Sequence, residues 1–193
     1  MPLHEEGQIA VRMRPGTFNG IFRGYVGTPE KEAEVFHHGL YYTGDKAYQD
    51  EDGYIWFVGR NDDVIKSSDY RIGPFEVESV LLEVPDVLES AVVGSPHPVK
   101  GYEVKAFVVL KSGATAGEAL ARQIFDHCRH HMAPYKMPRI IEFVEDLPKT
   151  ISGKIRRVEL RALEAQRKAQ ASGGLQEEPV RLAEQEYRWR KEV

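Results

Sequence analysis

Ser90-Ala91-Val92-Val93-Gly94 and Val104-Lys105-Ala106-Phe107-Val108-Val109-Leu110 are two apolar, β-branched runs. They are separated by the turn-rich Ser95-Pro96-His97-Pro98-Val99-Lys100-Gly101. Short apolar runs bounded by Gly and Pro read as strands rather than helices. Upstream, Pro74 suits a first helical position. Val77, Val80, Leu81 and Val84 then recur at helical spacing, predicting an amphipathic helix that ends near Pro85. Downstream, residues 118–131 predict a second helix with Leu120, Ala121, Ile124 and Cys128 on one face. Residues 139–144 predict a third strand. The order helix, strand, strand, helix, strand specifies an α+β unit with helices packed on a small sheet.

On the amino-terminal side, residues 7–60 read as β-rich. Ile9, Val11 and Met13 alternate with polar neighbours, as in a half-buried strand. Asp52-Gly53 precedes the aromatic run Tyr54-Ile55-Trp56-Phe57-Val58, which predicts a hairpin. Between these, residues 29–37 read as a short helix entered at Thr28. Residues 61–73 are polar and glycine-punctuated, a boundary between two units. From Val158 the chain is rich in Ala, Leu, Glu, Arg and Gln and predicts a helix broken at Ser172-Gly173-Gly174. Pro179 then opens a last helix carrying Val180, Ala183 and Tyr187. No internal repeat is present.

The 193 residues carry a net charge of -4, which supplies no basic footprint for nucleic acid or an anionic membrane. A hydrophobic content of 41% with 29% charged residues is that of an ordinary globular chain, and no apolar run reaches the roughly 20 residues that span a bilayer. The single cysteine, Cys128, excludes an internal disulfide framework and a cysteine-based zinc site. Its place in an apolar helical pattern predicts a buried thiol. The first residues lack the basic and apolar regions of a signal peptide. The expectation is a soluble, reducing compartment, the cytoplasm.

Three groups of residues carry chemistry. Tyr41-Tyr42-Thr43-Gly44-Asp45 places a carboxylate after a Thr-Gly turn, where it can accept hydrogen bonds from a ribose diol or serve as a turn residue. Residues 59–78 put cations and small residues at the boundary between the two units. Pro148-Lys149-Thr150-Ile151-Ser152-Gly153-Lys154-Ile155-Arg156-Arg157 presents a lysine on a Ser-Gly turn, with two arginines behind it. A lysine ammonium is a point charge on a long stem, suited to reach a phosphate and a carboxylate together. Alone, the same stretch also reads as a solvated basic turn.

Taken in register, Tyr-Thr-Gly-Asp at 42–45, Gly-Arg-x-Asp-Asp-x-Ile-Lys-Ser-Ser-x-Tyr-Arg-Ile-Gly-Pro-x-Glu-Val-Glu at 59–78 and Pro-Lys-Thr-x-Ser-Gly-Lys at 148–154 resemble the adenylate-forming superfamily. Residues 90–94, 104–110 and 135–139 are similar to its medium-chain acyl-CoA and acetyl-CoA synthetase branch. The likeness covers roughly residues 7–160. It implies a β-rich, barrel-like last piece of a large domain over 1–61, a mobile carboxy-terminal lid with a three-stranded sheet plus hairpin over 62–160, and a helical tail over 161–193.

The resemblance also implies a two-step ligase. A carboxylate attacks the α-phosphate of ATP to give acyl-AMP and pyrophosphate, and the CoA thiol then displaces AMP. On that reading Asp45 binds the ribose hydroxyls and Arg60 the ribose and phosphate region, while Asp62 is the hinge. Lys154 bridges the acid and the α-phosphate. After rotation, Ser68, Asp69, Tyr70 and Arg71 face the pantetheine of CoA, and Lys100 and Arg139 lie near its nucleotide phosphates. The family usually has glycine where this chain has Asp69, which adds bulk and charge where the thiol approaches. Relatives acetylate the lysine equivalent to Lys154, implying an acetyltransferase and deacetylase as partners.

Nothing in the sequence is the glycine-rich loop that cradles ATP phosphates. The resemblance places that loop, the acyl pocket and the Mg2+-binding glutamate on a large amino-terminal domain, the implied partner. The expectation is a segment that does not adenylate an acid by itself. Two alternatives are a non-catalytic nucleotide- or CoA-binding or docking module, and part of an adenylation domain that loads a carrier protein.

Overall fold

The computed structural model describes residues 3–13, 27–172 and 186–189. They form two units, Met1–Asp62 and Asp63–Val193.

In the first unit, β1 (Gly7–Arg12) alternates half-buried and exposed positions as its sequence predicts. The short helix α1 (Pro29–Val35) ends earlier than expected, because Phe36 and His37 leave it as β2 (Phe36–His37). The long β3 (Leu40–Gln49) and β4 (Ile55–Arg60) complete an antiparallel sheet in which β3 pairs with β1, β2 and β4. The turn between β3 and β4 is organised by Asp50. Its Oδ1 accepts from the Asp52 and Tyr54 amides at 3.1 and 2.9 Å, and its Oδ2 accepts from Trp56 Nε1 at 2.7 Å. The Trp56 bond leads in holding the Asp50 carboxyl below the usual range. Among the described residues this sheet is open, not a closed barrel.

In the second unit the hairpin β5 (Ile65–Ser67) and β6 (Tyr70–Ile72) precedes α2 (Pro74–Leu82), which begins at its proline and is capped by Glu76 accepting from the Gly73 amide at 3.3 Å. The central pair β7 (Val87–His97) and β8 (Gly101–Leu110) is longer than its apolar runs, and antiparallel throughout. α3 (Glu118–His131) matches its sequence reading residue for residue, and it connects β8 to the parallel strand β9 (Ile140–Phe143). Parallel neighbours need such a crossover. α4 (Arg157–Ser172) follows, and β10 (Glu186–Arg188) pairs antiparallel with β9. The three strands and hairpin that the sequence predicts are present, with β10 as an added edge. Tyr187 is therefore in a strand, not in the expected last helix. Val180 and Ala183, also assigned to that helix, lie outside the described residues.

Strand pleating sends alternate β8 side chains to opposite faces. Val104, Ala106 and Val108 join Val77 and Leu81 of α2 and Leu120, Ile124 and Cys128 of α3 in the larger core. Phe107 and Val109 face Leu147 and Leu160 on the other side, under α4. Burial pushes the Cys128 thiol up to about 12. Since the thiolate is the reactive form, Cys128 of the folded protein resists iodoacetamide at pH 8 and reacts once urea unfolds the chain. Mass spectrometry of the two samples reads this directly, and equal labelling would contradict it.

The second face also holds Lys105, fully buried, with its Nζ 2.8 Å from Glu142, 2.7 Å from Glu164 and 2.8 Å from Glu186. Ser95 Oγ donates to Glu164 at 2.8 Å, and Arg167 pairs with Glu142 at 2.8 Å. Burial penalises the ammonium. The three carboxylates outweigh that penalty and raise its pKa.

Candidate functional site

The site residues fall into three places. In the first unit, Asp45 on β3 and Arg60 on β4 are direct cross-strand partners. The Arg60 guanidinium lies between two carboxylates, 3.8 Å from Asp45 Oδ1 and 3.4 Å from Asp62 Oδ1. Thr43 Oγ1 donates to the Ile9 carbonyl at 3.2 Å and accepts from the Asp45 amide at 3.1 Å, fixing the strand where the carboxylate emerges. Gly44 has φ +80°, and a side chain there would meet the Arg60 guanidinium at 3.0 Å. The structure thus brings Asp45, Arg60 and Asp62 together. The 3.8 Å separation leaves Asp45 oxygen lone pairs open to hydroxyl donors.

The second place is the β5–β6 hairpin against the turn between β7 and β8. Ser67 pairs with Gly101, and the Ser68 amide donates to the Lys100 carbonyl at 2.9 Å. His97 Nδ1 accepts from the Val99 and Lys100 amides, both at 3.2 Å, and so shapes that turn. Tyr70 stacks on Tyr135 with ring centroids 4.2 Å apart. Lys66 and Arg71 stand directly opposite each other, both exposed. Like charges in that register are unfavourable. Among the described residues no acid pairs with Lys66, Arg71 or Lys100, so the hairpin and turn present a cationic edge suited to a polyanion. Lys66 belongs to the cations of the 59–78 segment but has no role assigned from sequence, because its position opposite Arg71 depends on the hairpin register. Arg139 is differently engaged. Its guanidinium lies 4.5 Å from the Trp189 ring centroid and donates to the Pro134 carbonyl at 2.8 Å.

Asp69 is exposed at the hairpin tip, and the left-handed backbone falls on Ser68, at φ +52°, not on Asp69. A Cβ in that region costs about 1–2 kcal/mol, partly offset in glycine by chain entropy. Ser68→Gly therefore stabilises the second unit by about 0.5–1 kcal/mol, read as a higher urea midpoint. A lower midpoint would show that the serine hydroxyl outweighs the backbone effect.

The third place is the loop before α4. A bridge between Lys149 and Ile155 closes a tight turn. Within it the Thr150 amide donates to the Lys154 carbonyl at 2.8 Å, and Thr150 Oγ1 accepts from the Lys154 amide at 3.1 Å. Gly153, at φ +81°, makes the turn possible. Lys154 is exposed and no carboxylate pairs with it among the described residues. The two arginines behind it do not join it as a cluster. Arg156 pairs with Glu159 at 2.5 Å, and Arg157 reaches α2, 2.6 Å from Glu78. Arg161 pairs with Asp63. The Arg157 and Arg161 pairs fasten α4 to the start of the unit, and the Lys154 ammonium projects from the loop before it.

Two groups of three potential ligands exist among the described residues, Glu83/His127/His131 and Glu142/Glu164/Glu186. Mg2+ takes oxygen ligands and usually keeps several waters. The first group is nitrogen-rich and the second is filled by the Lys105 ammonium, so neither fits a Mg2+–nucleotide site.

Residues 76–154 match the AMP-binding enzyme C-terminal domain. The chain is similar to the carboxy-terminal portion of adenylate-forming enzymes of the acyl-CoA synthetase kind. It is 55% identical to 4-hydroxybutyrate–CoA ligase 1 of Metallosphaera sedula over 174 residues, which are 90% of this chain and 30% of that protein. It is 53% identical to the mitochondrial acyl-coenzyme A synthetase ACSM3 of Rattus norvegicus, covering 85% of this chain and 29% of that one. The anthranilate CoA ligase AuaEII, solved with anthranoyl-AMP, superposes with a TM-score of 0.79 at 41% identity, over 88% of this chain and 32% of that one. The chain thus spans under a third of the length of these relatives. Among the described residues no helix is long and apolar enough to cross a membrane.

Proposed function

We propose that this chain supplies the lysine-bearing lid of an ATP-dependent carboxylate–CoA ligase, and that the ATP phosphates, Mg2+ and the acid bind on a large amino-terminal domain. The observation that carries the proposal is the exposed Lys154, paired with no carboxylate among the described residues, on a turn fixed by Thr150 and Gly153. Such a cation can enter a site and leave it without breaking a pair in its own unit. In adenylation Lys154 touches the acid carboxylate and the α-phosphate, where charge builds during the transfer. Asp45 accepts from the ribose hydroxyls, and Arg60 turns from between its two carboxylates towards ribose and phosphate. Asp62, the last residue of the first unit, is the hinge.

CoA as the acceptor is supported by the names of the two relatives above and by the cationic edge of Lys66, Arg71 and Lys100. Ser68, Asp69 and Tyr70 line the path of the pantetheine. The domain limits 1–61, 62–160 and 161–193 belong to the same proposal, as does acetylation of the accessible Lys154 by a lysine acetyltransferase. A reducing, cytoplasmic setting rests on the single buried thiol. The chain alone gives no ATP–pyrophosphate exchange with any of a panel of carboxylates, and exchange appears when it is joined to a large domain from a relative. Exchange by the chain alone would overturn the division of labour. No exchange by the joined protein would favour a docking module.

A further inference from the structure

Near the carboxy-terminal ends of α2 and α3, Glu83, His127 and His131 converge. Glu83 follows the last residue of α2, and the two histidines sit four residues apart on α3, a spacing that puts them on one helical face. His127 Nε2 lies 3.1 Å from Glu83 Oε2, and the two imidazoles stack with centroids 4.0 Å apart. One candidate ligand atom from each residue lies within 4.8 Å of the others.

The tautomer of His131 follows from its partner. Its Nδ1 is 2.8 Å from the His127 carbonyl oxygen. A carbonyl only accepts, so Nδ1 carries the proton and Nε2 keeps its lone pair. A metal-binding histidine is oriented in the same way, by donating its other ring N–H to a carbonyl. We infer that Glu83, His127 and His131 form a site for a borderline divalent transition metal, with Zn2+ as its natural occupant.

Two neutral imidazoles and one carboxylate are a common zinc donor set, with water in the fourth position. Ligand atoms on a tetrahedron with bonds of about 2.0–2.1 Å stand about 3.3 Å apart. The 3.1 Å His127–Glu83 separation is already there, and His131 reaches the rest by side-chain rotation at an exposed position. The proton now shared by His127 and Glu83 is displaced, passing to His127 Nδ1 or to solvent, as metal binding requires. The neighbouring His130 makes the same kind of bond, its Nδ1 2.6 Å from the Asp126 carbonyl, but it lies outside the group. A bound ion ties the end of α2 to the end of α3, and so couples Zn2+ to the stability of the second unit. This inference does not rest on the proposed ligase activity.

Isothermal titration of the full chain with ZnCl2 is expected to give one site and a higher thermal midpoint. Co2+ is expected to give the visible absorption bands of four-coordinate nitrogen and oxygen ligation. His127→Gln and His131→Gln each weaken Zn2+ by at least about tenfold, Glu83→Gln weakens it, and His130→Gln leaves it unchanged. MgCl2 does not bind there. Should a histidine variant fail to fold, the His127 and His131 ring proton signals of the unaltered chain must shift together as Zn2+ is added. Equal Zn2+ affinity in the His127→Gln/His131→Gln double variant, or shifts confined to other histidines, would overturn the site.

Discussion

Lys154→Ala in a ligase that carries this segment lowers acyl-adenylate formation by about 10²–10³-fold and leaves the thermal midpoint unchanged. The two halves of this expectation come from different facts. The rate effect is the size usually lost when one fixed electrostatic contact is removed from a transition state. The unchanged midpoint follows from the structure, in which the ammonium is exposed and pairs with no carboxylate among the described residues, while the turn is held by the backbone and by Thr150. Supplying synthetic acyl-adenylate and CoA bypasses the first step. If Lys154 leaves before thioester formation, the variant then turns over at close to the unaltered rate. Stopped-flow measurement of AMP release from the adenylate separates the steps. Equal losses in both halves would mean that the lysine serves throughout, and the lid exchange would be wrong. The conservative Lys154→Arg keeps the charge but spreads it over a planar fork, so it recovers only part of the rate. Acetylation removes the charge and reproduces the alanine phenotype.

What was readable in the sequence was whatever repeats locally. α3 was found from end to end because Leu120, Ala121, Ile124 and Cys128 keep one helical face. β7 runs further than its apolar run because Pro96 does not end it. Among the described residues the strand pairs only with β8, and an edge strand tolerates a residue that cannot donate to the ladder. The strand at 186–188 is not readable, since its supports are all distant in sequence: pairing with β9, packing of Tyr187 against Phe143, and the pairs Glu186–Lys105 and Arg188–Glu103. In the candidate site the motif residues could be picked out, but their commitments could not. That Arg157 braces α2 through Glu78, or that Arg139 stacks on Trp189, depends on chain segments distant in sequence. The group of Glu83, His127 and His131 was missed for the same reason. The histidine pair is visible at its helical spacing, but the glutamate belongs to another helix.

Lys105→Met destabilises the second unit by about 3–5 kcal/mol, the largest stability effect expected of any single substitution here. In sequence Lys105 is the one polar residue of the apolar run Val104–Leu110. It is fully buried because its partners arrive from 59 and 81 residues away, as Glu164 and Glu186, and from Glu142 on the neighbouring strand. Methionine fills similar space but leaves three carboxylates facing one another without the central cation. Removing one member of a buried ionic group costs far more than the group contributes as a whole. The same reasoning predicts partial rescue by Glu164→Gln in the Lys105→Met background, which removes one of the stranded charges. Urea unfolding at pH 7 measures both variants, and a loss below about 1 kcal/mol for Lys105→Met would show that the carboxylates protonate or hydrate at little cost.

The pH dependence of the unaltered chain must then agree in sign. Burial raises the Glu164 pKa, and bonding to Lys105 more than reverses this, so its folded value lies below the ordinary 4.5. Its contribution is therefore complete above 4.5 and fades as pH falls through the folded value. The folded pKa of Lys105 lies above the ordinary 10.5. That contribution is complete below 10.5 and fades as pH rises through the folded value. The unaltered chain therefore loses stability at both extremes, and Lys105→Met removes the alkaline loss. It also reverses the acid dependence of the cage, because protonating carboxylates that lack their cation relieves repulsion.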